Sequence, residues 1–103
     1  LKISRMGGLT RARQVRDLCI SLGLPMNIED SWGGEIATAA IAHLAHSTPS
    51  AFQLQSSAFH EYATVDIATG APAVAEGYMT ADEAPGLGVT PIMESLTPVA
   101  DFS

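Results

Sequence analysis

Three short apolar runs separated by two helix-length segments set the strongest limit on what this chain can become. LKIS opens the chain, LPMNI follows at residues 24–28 and AFQLQSS at residues 51–57. Between the first two runs, Leu9, Ala12, Val15, Leu18, Cys19 and Leu22 recur at helical spacing, while Arg11, Arg13, Arg16 and Asp17 take the other faces. RMGGLT gives that helix a glycine turn and Thr10 as a candidate N-cap, and Gly23 gives it a stop. A second helix carries Ile36, Ala39, Ala40, His43 and Leu44 on one side and ends before Pro49. The order strand, helix, strand, helix, strand, with connections this short, predicts βαβ units and a parallel sheet. Ligands of such sheets meet the carboxyl ends of the strands. Those ends hold Lys2, the segment Glu29 to Trp32 and the pair Ser56 and Ser57.

After Tyr62 the alternation stops. APAVAEGYMTADEAPGLGVTP offers two short apolar runs about Glu76 and Gly77, read as a hairpin, and then a Pro/Gly segment. The chain therefore divides into a β/α part, residues 1–64, and a tail, residues 65–103. No repeat is long enough to stack as a solenoid, and no low-complexity tract occurs.

Composition excludes several functions. With 47% hydrophobic and 16% charged residues, the chain is too apolar for disorder and is expected to bury more than one side of its elements. The net charge of −6 leaves no basic footprint for nucleic acid or an anionic membrane surface. A single Cys19 and the lack of any Cys/His cluster at zinc spacing point to a reducing, cytoplasmic setting. No apolar run approaches the roughly 20 residues that span a bilayer. The opening LKISR lies already inside an apolar alternation and has no initiator Met, so a longer parent chain is expected.

Each polar residue at the strand ends carries two readings. Lys2 is either a solvated terminal lysine or a partly desolvated acid/base, since burial moves an amine toward neutral-pH proton transfer. Glu29 and Asp30 alternate in direction, so one faces the sheet's open end while the other caps a helix or pairs with a cation. Trp32 is a packed rim residue or one wall of a ligand pocket, stacking on a ring or a cationic nitrogen. Gly33 and Gly34 either offer bare amides to an anion or permit tight packing, and Glu35 in the first turn weakens the anion reading. His43 and His46 have metal-compatible spacing but no third ligand, so a packed His43 and an exposed His46 are expected. His60, Glu61 and Tyr62 either shape a pocket or are ordinary loop polarity. Ser56 and Ser57 lack the frame of a nucleophile elbow.

Taken together, LKISRMGGLTRARQV, EDSWGGEIATAAIAHLAHSTP and APGLGVTP resemble the C-terminal part of the enolase superfamily, in its mandelate racemase and muconate lactonizing enzyme branch. Within that branch, SWGGEIATAAIAHLA and GAPAVAEGYMTADEAPGLG look most like the cis-3-hydroxy-L-proline dehydratases. The resemblance implies a (β/α)7β TIM-like barrel with an α+β capping domain. This chain would supply the last three strands, the helices between them and a hairpin tail that returns to the cap. Lys2 matches the family's acid/base lysine at the end of the sixth strand, which faces a second lysine across the substrate's α-carbon. Glu29, Asp30, Trp32, Ser56 and Ser57 then become the substrate-binding set. The family's Mg2+, held by three carboxylates on earlier strands, binds the substrate carboxylate and stabilises an enediolate. Those ligands are expected upstream of Leu1, so the piece is expected to be inactive alone and to need the rest of the barrel and cap in a homo-oligomer.

The implied reaction on this amino acid substrate is loss of the α-proton and the 3-hydroxyl to give Δ1-pyrroline-2-carboxylate. Ser56 stands where muconate cycloisomerases place an acid, which counts against lactone chemistry. The alternative is racemisation or 2-epimerisation of a proline-betaine type substrate, for which Trp32 suits a quaternary ammonium equally well. A second alternative is a non-catalytic binding or assembly module that recruits a partner through an exposed sheet edge.

Overall fold

The computed structural model describes residues 1–102. In chain order the elements are α1 (Ile3–Met6), α2 (Leu9–Ser21), β1 (Met26–Ile28) and α3 (Glu35–His46). Then come a 3-10 turn (Ser50–Phe52), β2 (Gln53–Ser56) and a second 3-10 turn (Phe59–Tyr62). The tail adds β3 (Ala68–Thr69), β4 (Ala73–Ala75), β5 (Tyr78–Thr80), β6 (Thr90–Pro91) and a last 3-10 turn (Met93–Ser95).

The first part is α/β with parallel strands. β1 pairs with β2 in parallel, Met26 opposite Gln53 and Ile28 opposite Ser56, with one irregularity after Met26. On the other edge of β1, Lys2 forms a parallel bridge with Glu29. There Glu29 donates its N–H to the Leu1 carbonyl at 3.0 Å, and Ile3 donates to the Glu29 carbonyl at 3.3 Å. Three parallel segments thus lie side by side in chain order, the arrangement that short right-handed crossovers produce. LKIS, however, is not a strand throughout. Only its start pairs, because Ile3 to Met6 curl into a helical turn that carries the chain away from the sheet.

The helices correct two further expectations. Gly8, not Thr10, is the N-cap of α2, so this helix starts without a side-chain cap. Its stop lies where expected: Gly23 returns its N–H to Ile20 and Leu24 to Cys19, satisfying the last carbonyls. The buried stripe of α2 runs through Ala12 and Arg16, with Leu9, Leu18 and Leu22 exposed. Arg16 belongs inside because its guanidinium reaches the end of α3, donating to the Ser47 carbonyl at 3.0 Å and the Ser47 hydroxyl at 2.8 Å. Its aliphatic stem packs while its charge stays bonded. Strand β1 begins at Met26 rather than Leu24, after Pro25, which has no N–H to pair.

α3 is buried on most sides, at Glu35, Thr38, Ala39, Ile41, Ala42, Leu44 and Ala45. It packs on β1 and β2 and meets the tail strands β3 and β5. The main core joins Ile3, Ala12, Met26, Ile28, Ile41, Leu44 and Ala45. His43 is half-buried, its Nε2 3.1 Å from the Leu87 carbonyl, and His46 is exposed. In the tail, β4 and β5 pair antiparallel about Glu76 and Gly77, which both take positive φ, 52° and 81°, as a two-residue hairpin turn requires. β3 and β6 pair antiparallel and close the tail into a loop. No helix among the described residues is long and apolar enough to cross a membrane.

Candidate active site

At the carboxyl end of the three parallel segments, Lys2 and Glu29 face each other. The Lys2 Nζ lies 3.8 Å from the Glu29 Oε1, and the two side chains are 41% and 31% exposed. The pairing follows from register: the Lys2 and Glu29 backbones are bridged, and residues level with each other on adjacent parallel strands point to the same side. The amine is only partly withdrawn from water within this chain, less than expected for a desolvated acid/base.

Asp30 falls on the buried side with Met26 and Ile28, as alternation requires, and takes the capping place left open for one of the two acids. It is 7% exposed and accepts hydrogen bonds from the Ser4 N–H at 3.0 Å, from the Ser4 hydroxyl and from the Ser31 N–H at 2.7 Å. Burial alone would raise its pKa; the hydrogen bonds from Ser4 and Ser31, with the Lys2 charge, outweigh that and hold it below the usual aspartate value. Asp30 therefore caps α1 from across the sheet. Arg5 adds a bond from its Nε to the Ser31 hydroxyl at 3.2 Å. The loop after β1 is thus stapled to the turn that follows Lys2.

That loop presents Trp32, 70% exposed. Two rings from the turn after β2 surround it: Phe59 with centroids 5.9 Å away and Tyr62 at 6.4 Å, the latter near parallel at 30°. Gly33 takes φ 152°, and a Cβ there would stand 2.3 Å from the Ala37 Cβ. A Cβ on Gly34 would press on the Ile67 side chain at 3.2 Å. The glycine pair is therefore a packing device. The anion reading falls for a second reason: the chain's own Glu35 carboxylate sits at this helix start, 2% exposed, accepting the Ile67 N–H at 3.0 Å. Burial would raise the Glu35 pKa, yet backbone N–H groups of Glu35, Ile67 and Ala68, and the neighbouring His60, keep it lowered.

Ser56 ends β2 opposite Ile28 and accepts a bond from the Gln53 side chain at 3.2 Å; Ser57 is half-buried beside it. Sequence reasoning had no signal for Phe59. It also missed Thr38, fully buried, which donates to the Gly34 carbonyl at 3.0 Å and accepts the His60 N–H at 3.2 Å. Among the described residues no three His, Cys, Asp or Glu side chains gather as a metal site. Asp30 and Glu35 are committed to N–H donors and Glu29 faces Lys2, so the carboxylates here do not fit the family's Mg2+.

A family model described as enolase C-terminal domain-like matches residues 1–95. The chain belongs to this family. It is 60% identical, over its whole length, to a cis-3-hydroxy-L-proline dehydratase of Roseibium aggregatum, and spans 28% of that protein. A mandelate racemase/muconate lactonizing enzyme structure from Roseovarius nubinhibens ISM superposes with TM-score 0.92 at 50% identity, covering 97% of this chain and 27% of that one. An enolase superfamily member from the same organism, complexed with magnesium, matches with TM-score 0.84 at 47% identity over 91% of this chain and 26% of its own. The chain thus spans little more than a quarter of the relatives it matches.

Proposed function

We propose that this chain is the C-terminal part of the barrel of a cis-3-hydroxy-L-proline dehydratase, supplying the last three strands and the tail that reaches the capping domain. The observation that carries the reading is the Lys2–Glu29 pair at the ends of adjacent parallel segments, next to the loop that presents Trp32. The 60% identity to the Roseibium dehydratase supports the substrate. The exposed Leu9 and Leu18 on α2, Leu22 just after it and the free edge of β2 agree with further barrel strands and helices covering them.

In this reading the Lys2 amine moves a proton at the substrate's α-carbon, and Glu29 holds the amine toward the open end of the sheet. The electron pair left at the α-carbon forms a double bond to C3, and the 3-hydroxyl leaves as water with a proton from an acid. The enamine then tautomerises to Δ1-pyrroline-2-carboxylate. Trp32 receives the ring and its ammonium. Ser56 and Ser57 offer hydroxyls to the substrate's polar groups, and Asp30 fixes the loop that carries Trp32. Mg2+ would be held by carboxylates in parts of the protein outside this chain, where it would bind the substrate carboxylate. Assembly as a homo-oligomer and a cytoplasmic location, in line with the free Cys19, belong to the same reading.

The test is incubation of the full-length protein with cis-3-hydroxy-L-proline in deuterated water. A pyrroline product supports elimination. Deuterium at the α-carbon with the hydroxyl retained supports epimerisation instead, the second reading, which the racemase relatives and the exposed aromatic rings favour. Neither product overturns both.

A further inference from the structure

Lys2 stands at a junction between strand and helix. Its backbone is extended, φ −109° and ψ 117°, yet its carbonyl already serves α1, accepting the Arg5 N–H at 3.1 Å and the Met6 N–H at 3.2 Å. The direction in which the amine leaves the backbone is therefore set by where α1 turns. α1 has only four residues and no side-chain cap of its own. A helix that short does not persist in water, so the turn has to be held from outside.

The neighbouring segment holds it residue by residue. Ile3 donates its N–H to the Glu29 carbonyl, Ser4 donates both its N–H and its hydroxyl to the Asp30 carboxylate, and the Arg5 Nε donates to the Ser31 hydroxyl. Of these acceptors Asp30 is the buried charge, 7% exposed, and any further part of a longer protein can only bury it more. Its Oδ2 takes the Ser4 N–H, and its Oδ1 takes the Ser4 hydroxyl and the Ser31 N–H. Three protein donors use most of a carboxylate's acceptor capacity. We propose that Asp30 and Ser4 form a positioning pair, which fixes the junction from which Lys2 projects and so serves proton transfer without touching the substrate. Glu29 meets the amine itself, 3.8 Å away, whereas Asp30 and Ser4 set where its stem begins. An error of about 1 Å in such a placement is enough to cost on the order of 10²-fold in rate.

The inference rests on the reading of Lys2 as the group that moves the α-proton, and the competing role for Asp30 is direct contact with the substrate's ammonium. Turnover measured beside binding separates them. In full-length protein with its metal, kcat for cis-3-hydroxy-L-proline is followed together with the Kd for L-proline, which has the same ring and charges but no hydroxyl to lose. Asp30→Asn leaves one acceptor oxygen for three donors and is expected to lower kcat by about 10- to 100-fold, with the Kd for L-proline within about twofold. Ser4→Ala should lower kcat by about 3- to 10-fold, again with Kd kept, while Ser4→Thr retains the hydroxyl and should keep most of the rate. If Asp30→Asn does not fold, the two Ser4 variants carry the test. A Kd that rises in step with the fall in kcat makes Asp30 a substrate ligand and overturns the proposal. So does an unaltered kcat in Asp30→Asn and Ser4→Ala, which leaves the dehydratase reading standing. If the unaltered protein forms no pyrroline, the dehydratase fails and the same pattern of rate loss with Kd kept is expected in deuterium uptake at the α-carbon. Neither product nor uptake in the unaltered protein sinks the role of Lys2, and the positioning pair with it.

Discussion

The β/α part and the tail of this molecule are held by different forces. Among the described residues, the buried hydrophobics Ile3, Ala12, Met26, Ile28, Ile41 and Leu44 all lie in the first part, and the tail adds little more than Ala68. The first part is a packed core whose strand ends are set by register. The tail instead hangs on directed bonds: the Ile67 N–H to Glu35, the Ile92 N–H to the Ile67 carbonyl at 2.8 Å, and the Leu87 carbonyl against His43. Both regions meet at α3, whose buried polar residues serve the loops while its apolar ones serve the core. The difference teaches where damage should spread: core changes should unfold the sheet, while polar changes on α3 should release loops first.

The largest effect expected is on chemistry, not on stability. Lys2→Ala in the full-length protein should lower turnover by about 10²–10⁴-fold with an unchanged melting profile, since the amine lies outside the core; steady-state kinetics beside thermal unfolding reads both. An equal loss of stability would assign Lys2 to the scaffold. Next, Ile28→Ala or Ile41→Ala should each cost about 2–5 kcal/mol in denaturant unfolding, because both are fully buried and leave a cavity.

Glu35→Gln should cost about 1–3 kcal/mol, and its mark should be local: faster hydrogen exchange near Ile67 and Ala68, with α2 protected as before. Uniform exchange would mean that tail and core form one unit. Asp30 and Glu35 also set a pH window. Both are held below their ordinary values of 3.8 and 4.5, so the stability they add is complete above those values and is lost as the pH falls past them toward their lower folded ones. Asp30→Asn and Glu35→Gln should flatten that acid limb of the unfolding curve. The smallest effect should come from Tyr78→Ala on the exposed hairpin, within about 0.5 kcal/mol.

Much of the site was legible along the chain because it depends on short-range rules. Alternation on β1 separates Glu29 from Asp30 whatever surrounds them. The helix stop at Gly23 and the turn at Glu76 and Gly77 follow from local backbone preference. Apolar spacing misled on α2, where Leu9 and Leu18 stay exposed, while Arg16 goes inside to reach Ser47. Periodicity says which residues share a face; it does not say which face has a neighbour. Phe59 and Thr38 gave no signal at all, since their roles exist only where α3 meets the turn after β2.

The alternation of helix and strand from α2 to β2, the parallel pairing and the candidacy of Lys2 and Glu29 were determined by the residues themselves, through spacing, turn chemistry and side-chain direction. Only the tertiary structure decided that Asp30 caps α1, that Glu35 fills the helix start opened by the glycine pair, and that three rings gather at one rim. Each of those outcomes requires partners far apart in the chain, and no local preference specifies which distant donor a buried carboxylate will meet.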